Sequence, residues 1–214
     1  MFTGIIEEIG SLVSLPGASG GAVTVYAPGI SRKLEEKDSV SVNGVCLSVS
    51  RLDQGHFSAD VSPETARTTT LSVLAPRTAV NVETPLTVHK YIGGHMVTGH
   101  IDTRGRIKSV QMQGGFKRLR VDLGHKWPKE YLVAKGSIAV DGVSLTAAEV
   151  FADGFTAALI PETLRRTNLG ACLPGQVVNI EFDIIGKYIV RWLQQKGPPA
   201  SLTQLLAQAG FMGA

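Results

Sequence analysis

Apolar and polar residues alternate along much of the chain. In SVSVNGVCLSV (Ser39–Val49) and GAVTVYAPG (Gly21–Gly29), Val or Leu recurs at every second position. That period belongs to strands with one face buried. Asn43-Gly44, Asp141-Gly142 and Pro174-Gly175 interrupt the runs, and each pair is a turn signal; the first two predict two-residue hairpin loops. Only the tail departs from this pattern. In IIGKYIVRWLQQK, residues Ile184, Ile185, Tyr188, Ile189, Trp192 and Leu193 recur at helical spacing. Gly197-Pro198-Pro199 ends that helix. Ser201 and Gln204 form a capping box, and a Leu202, Leu205, Leu206, Ala209 stripe follows.

The alternating region is written twice. KDSVSVNGVCLSV (Lys37–Val49) returns 98 positions later as KGSIAVDGVSLTA (Lys135–Ala147). The same shift lays SPETARTTTL (Ser62–Leu71) on IPETLRRTNL (Ile160–Leu169) and VNVE (Val80–Glu83) on VNIE (Val178–Glu181). Near the start the shift is 95, laying TGIIEEIGSL (Thr3–Leu12) on TGHIDTRGRI (Thr98–Ile107). Two copies with a period near one hundred residues indicate a duplicated domain and not a solenoid. Two small antiparallel barrels in tandem follow, because closure removes exposed sheet edges. The fold class is therefore all-β with a C-terminal helix, and the boundary falls between Thr87 and Gly93. The expected units are 1–90, 91–183 and a helical 184–214. A closed barrel has little open core left to cover, so the Ile184–Leu193 stripe reads as a face for other subunits more than as a cover for its own barrel.

Composition narrows the class. The chain has 214 residues, 43% of them hydrophobic, with net charge +3, enough for two small cores. No basic stripe is interleaved with aromatics, so nucleic acid is set aside as a partner. Cys46 and Cys172 stand far apart with no CxxC, which fits a reducing compartment. No signal-peptide pattern or membrane-length apolar run occurs. The expectation is a cytoplasmic protein.

The candidate chemistry lies where the copies differ. Cys46 in the first becomes Ser144 in the second. Alternation puts Val45 and Leu47 on one face and Cys46 on the other. A free cysteine is commonly a core residue, yet a position that takes Cys or Ser looks more like a nucleophilic or hydrogen-bonding one. In GGHMVTGHID, His95 and His100 lack the spacing and nearby partners of a zinc site. His100 follows Thr98-Gly99, where glycine lets a ligand approach, and reads as a general base or hydrogen-bond partner. His95 reads mainly as structural. Glu64 and Glu162, in the two PET phrases, are either solvated acids at turns and helix starts or pocket residues for a polyol. Lys37 and Lys135 read first as surface charges. No dinucleotide fingerprint or P-loop is present.

Taken together, MFTGI, VNGVCLSV, GGHMVTGHID, DGVSLT, IPETLRRTNLG and VNIEFDIIGKYIVR resemble the riboflavin synthases of the α-subunit type, from Met1 to about Arg191. The resemblance implies two six-stranded Greek-key barrels and a C-terminal helix that gathers three chains into a homotrimer. It implies that two molecules of 6,7-dimethyl-8-ribityllumazine exchange a four-carbon unit, with no cofactor or metal, giving riboflavin and 5-amino-6-(ribitylamino)uracil. It leaves association with lumazine synthase open. Two identical substrates with different fates explain a duplicated fold with unlike residues at Cys46/Ser144 and at Ile5/His100. The implied catalytic candidates are Cys46, His100, Ser144 and Thr146. The implied binding segments in the first barrel are Gly4, Ile5 and Ile6; Cys46, Leu47 and Ser48; and Asp60, Val61, Ser62, Pro63, Glu64 and Thr65. In the second they are Gly99, His100 and Ile101; Lys135; Ser144, Leu145 and Thr146; and Ala158, Leu159, Ile160, Pro161, Glu162 and Thr163. Ser48 stands where the family often has Thr, and Ala66 interrupts the usual PETLR. Lumazine proteins, non-catalytic binders of the same fold, are the alternative; both copies here keep Gly-Val-x-Leu and PET, which favours the enzyme.

Overall fold

The computed structural model describes residues 1–196. The first barrel comprises β1 (Glu8–Ser14), β2 (Gly21–Tyr26), β3 (Ser39–Val42), β4 (Val45–Asp53), β5 (His56–Val61) and β6 (Ala79–Glu83). The second comprises β7 (Thr103–Gln113), β8 (Phe116–Asp122), β9 (Ser137–Val140), β10 (Val143–Phe151), β11 (Gly154–Leu159) and β12 (Val177–Phe182). Both sheets close with equivalent strand order, β1-β2-β5-β4-β3-β6 and β7-β8-β11-β10-β9-β12, the Greek-key arrangement that the resemblance implies. The capping-box segment from Ser201 and its leucine stripe lie outside the described residues.

Alternation fills the barrels. In β4 Val45, Leu47 and Val49 are buried, while Cys46 is half-buried and Ser48 and Ser50 are exposed. In β10 Val143, Leu145 and Ala147 are buried and Ser144 is half-buried. Side chains pack both interiors, so polar chemistry is confined to the outer walls. The hairpin tips behave as their sequences predict. Asn43 and Gly44 have φ of 47° and 80°, and Asp141 and Gly142 have 45° and 77°, as a type I′ turn requires.

These two tips meet back to back: a Cβ on Gly44 would lie 2.7 Å from the Gly142 nitrogen, and the reverse holds at Gly142. Around them the barrels exchange hydrogen bonds. Asn81 Nδ2 donates to the Asp141 carbonyl and Asn179 Nδ2 to the Asn43 carbonyl, both at 2.9 Å. The two copies are thus joined about a local twofold.

The PET phrases start short helices, α2 (Pro63–Thr68) and α3 (Pro161–Arg166), after an even shorter α1 (Pro28–Ser31). Proline at the first turn suits each start; Ser62 caps α2 by accepting from the Thr65 N–H. The long helix α4 (Ile184–Lys196) leaves the second barrel after β12. Lys187 ties it down through an ion pair with Asp102 at 2.6 Å. Ile185, Tyr188, Ile189 and Leu193 remain more than half exposed, so this stripe does not cover its own barrel.

Candidate active site

The opening segments of the two copies cross over. Residues before β1 and those before β7 pair with each other, Phe2 N–H donating to Val97 O at 2.6 Å and Val97 N–H to Phe2 O at 3.1 Å. Each segment then runs onto the opposite barrel. Ser144 N–H donates to Gly4 O at 2.8 Å, and Cys46 N–H donates to Gly99 O at 2.9 Å. The approach is close enough to demand glycine. A Cβ on Gly4 would lie 2.6 Å from Ser144 Cβ, and one on Gly99 would lie 2.4 Å from Cys46 Cβ, with φ of +75° and +84°.

The result is two related cavities on the outer walls, each built by both copies. The first, about 170 Å³, is lined by Val45, Cys46, Thr65, Thr68 and Thr69 from the first barrel and by Gly99, His100 and Ile101 from the opening of the second copy. The other, about 160 Å³, is lined by Val143, Ser144, Ile160, Glu162, Thr163, Arg166 and Thr167 from the second barrel and by Gly4, Ile5 and Ile6 from the first copy. Grouping Gly4–Ile6 with the first barrel and Gly99–Ile101 with the second, as sequence order suggests, therefore reverses their actual places. The repeat equivalence of Ile5 and His100 holds, but each serves the other copy's wall.

Several expected positions lie beside these cavities and do not line them. Leu47, Val61, Leu145 and Leu159 point into the cores. Ser48, Asp60, Ser62, Pro63, Glu64, Thr146, Ala158 and Pro161 are exposed on neighbouring outer surface. Lys135 is exposed and has φ +68°, as Lys37 has +77°. Their backbone N–H groups close onto Ala147 O and Val49 O, so the repeated lysine marks a repeated turn. The glutamates satisfy part of each reading. Both sit in the first turn of a helix and pair with arginine, Glu64 with Arg67 and Glu162 with Arg165 and Arg166. The hydrogen bond from Arg165 holds Glu162 below the usual carboxylate range. Glu162 also lines the second cavity.

The two histidines stand in different surroundings. His100 is exposed on the first cavity's wall, its backbone N–H donating to Thr98 Oγ1 at 3.3 Å. His95 is 8% exposed, and its Nδ1 lies 2.7 Å from Ser144 Oγ. Gly94 makes this possible, since a Cβ there would lie 2.6 Å from Ser144 Cβ. Burial pushes the imidazole below its ordinary value, so the ring is neutral near pH 7 and can accept the Ser144 proton. Its Nε2 has no hydrogen-bond partner among the described residues. A shift of 95 carries His95 to a position before Met1, so comparison of the copies could not single it out. Among the described residues no group of three or more His, Cys, Asp or Glu could hold a metal, and no helix is long and apolar enough to cross a membrane.

A model of the lumazine binding domain matches residues 3–85 and again 98–183. Riboflavin synthase of Actinobacillus pleuropneumoniae is 38% identical over 99% of this chain and 100% of its own. The enzyme of Bacillus subtilis is 38% identical over 91% of each, and that of Mycobacterium bovis 37% identical over 92% of this chain and all of its own. The chain belongs to the riboflavin synthase family. In fold it also matches LumP, solved in complex with 6,7-dimethyl-8-(1'-D-ribityl) lumazine, with a TM-score of 0.76 over 85% of this chain and 98% of that one. At 23% identity this likeness concerns the fold. Within the riboflavin synthase family, the two crossed cavities of this chain are the natural places to look for substrate.

Proposed function

We propose that the protein is a riboflavin synthase that dismutates two molecules of 6,7-dimethyl-8-ribityllumazine by four-carbon transfer. The observation that carries this reading is the pair of cavities built on one framework with different reactive groups, Cys46 and His100 lining one and Ser144, hydrogen-bonded to the buried His95 behind it, lining the other. Identical substrates fit related pockets, and unlike groups give them unlike fates. The C7 methyl of the lumazine is acidified by conjugation with the electron-poor ring, so a general base suits its removal. His100 is placed for that in the first cavity. In the second, neutral His95 can take the Ser144 proton and make its oxygen, or a water beside it, the group that adds to the acceptor ring. Cys46 is the corresponding candidate in the first. Alignment of two stacked substrates contributes to the rate alongside these groups.

Each cavity is smaller than the roughly 300 Å³ at which ligand pockets for molecules of this size begin. A second barrel from another chain would complete the walls, and the exposed face of α4 supports a homotrimer that supplies it. Ile189→Asp is expected to convert three chains to one in light scattering after size exclusion; a variant that remains a trimer excludes α4 as the interface. Two free cysteines support a cytoplasmic setting. Association with lumazine synthase is a further proposal, which co-elution of the two proteins tests.

The direct experiment supplies the lumazine alone and follows both products. Riboflavin and 5-amino-6-(ribitylamino)uracil at one to one establish the dismutation. Binding without turnover would instead make the chain a chromophore carrier. Gly99→Ala forces the first copy's wall off Cys46, and fluorescence titration is then expected to find one lumazine per chain instead of two. Unchanged stoichiometry would mean that the Gly99 contact does not shape a binding site.

A further inference from the structure

β6 ends on a buried glutamate, Glu83, and β12 carries one just before its last residue, Glu181, both 1% exposed. Neither lines either of the two crossed cavities. Glu83 Oε1 accepts from Thr3 N–H at 2.8 Å and Thr3 Oγ1 at 2.7 Å, and its Oε2 accepts from Gly4 N–H at 3.0 Å. Glu181 repeats the pattern, with Thr98 N–H at 2.6 Å, Thr98 Oγ1 at 2.7 Å and Gly99 N–H at 2.9 Å. Burying a carboxylate is costly unless its oxygens are matched by donors, and here the donors belong to the crossing segments. Glycine at positions 4 and 99 leaves those segments with little conformational preference of their own.

We infer that Glu83 and Glu181 are positioning residues that act across the repeat, each carboxylate rooted in one barrel fixing a wall of the cavity on the other. Glu181 holds Thr98-Gly99 and so places Gly99, His100 and Ile101 over Cys46. Glu83 holds Thr3-Gly4 and so places Gly4 and Ile5 beside Ser144; Thr3 O also receives the His95 N–H at 3.2 Å. The two clasps are not equal. Lys90 Nζ stands 3.2 Å from Glu83 Oε1, whereas Glu181 makes no close ion pair among the described residues and feels the charge of Lys187 only from farther away. The inference deepens the reading of the cavities as substrate sites and rests on it for its meaning, but its test does not require turnover.

Cys46 reports on the first wall directly, because Gly99 packs on it, while Cys172 is 2% exposed and serves as the buried control. Glutamine keeps the size of glutamate but turns one acceptor into a donor that faces an N–H. In full-length protein, Glu181→Gln is expected to raise the rate of Cys46 alkylation by iodoacetamide about tenfold, with Cys172 still protected. Glu83→Gln lies in the barrel that carries Cys46, yet its acceleration is expected to be at least about fivefold smaller. Some effect of Glu83→Gln is expected because Cys46 packs against the cluster of Phe2, Val97 and Ala139. In turn, Glu83→Gln and not Glu181→Gln should shift the His95 ring signals in NMR. Equal rates in the two variants, a larger rate in Glu83→Gln, or no change in either overturns the inference. Should the glutamine variants fail to fold, Thr98→Val and Thr3→Val remove one donor from each clasp and carry the same comparison: Thr98→Val must accelerate labelling more than Thr3→Val. Loss of riboflavin formation plays no part in this outcome, so a carrier with no turnover could still show the crossed control.

Discussion

His95→Asn is expected to lower kcat for riboflavin formation about 100- to 1,000-fold while leaving two lumazines bound per chain. Asparagine places an oxygen close to the site of Nδ1, so the hydrogen bond to Ser144 Oγ, 2.7 Å in the native protein, can persist. What disappears is the basic nitrogen. General base catalysis of this kind contributes roughly 10²–10⁴ in rate. Ser144→Ala should cost a similar factor, and the double variant little more than either single one, because groups that act as a unit are not additive. The pH profile offers a second check. Burial holds His95 below the ordinary histidine value, so the neutral base persists into acid, and its loss appears only as pH falls below about 6.5. Unchanged kcat in His95→Asn would return this histidine to a purely structural role.

Asp141→Asn is expected to stabilise the protein, and only at higher pH. Asp141 sits at the β9–β10 tip, 1% exposed, on the local twofold. Burial pushes its carboxyl from 3.8 up to about 7, against the Asn179 backbone N–H and the Asn168 side chain, which pull it down. A carboxyl raised in the folded state binds its proton more tightly there than in the unfolded chain. Its contribution to stability is therefore fully present below pH 3.8, is lost as pH rises from 3.8 towards 7, and stays lost above. Three units correspond to at most about 4 kcal/mol. The repeat mate shows the remedy: Asn43 occupies the same place with φ 47°, and its Oδ1 accepts from Asn81 N–H at 2.7 Å just as Asp141 Oδ1 accepts from Asn179 N–H. Asparagine also tolerates the left-handed backbone at this tip. Urea denaturation at pH 4 and pH 8 should give nearly equal stabilities for the two proteins at pH 4 and a gain of about 2–4 kcal/mol for Asp141→Asn at pH 8. An equal change at both pH values would remove ionisation as the cause.

Much of the architecture was legible in the chain because it follows from local rules. Val45, Leu47 and Val49 alternate with Cys46 and Ser48, and a pleated strand must then send the first set inward. Asn43-Gly44 and Asp141-Gly142 are among the few pairs that adopt positive φ twice in succession, so the hairpins could be placed by inspection. The repeat multiplied these signals, since any reading of one copy could be checked against the other. The swap of Cys46 for Ser144 likewise pointed to the outer walls where both cavities lie.

The tertiary structure decided which copy builds which cavity. Thr3 and Gly4 read the same whether their segment folds onto the first barrel or the second, because what holds them is Glu83, some eighty residues away. His95 drew little notice because it has no counterpart in the first copy, and its partner Ser144 is distant in sequence. Glu83 and Glu181 entered the sequence reading only as part of the repeated VNVE and VNIE. The composition, period and turns of this chain determined two like barrels, since those depend on neighbours along the backbone. Packing between distant segments decided that the barrels would trade the segments that precede their opening strands, because buried carboxylates and close glycine contacts are satisfied only once both copies have come together.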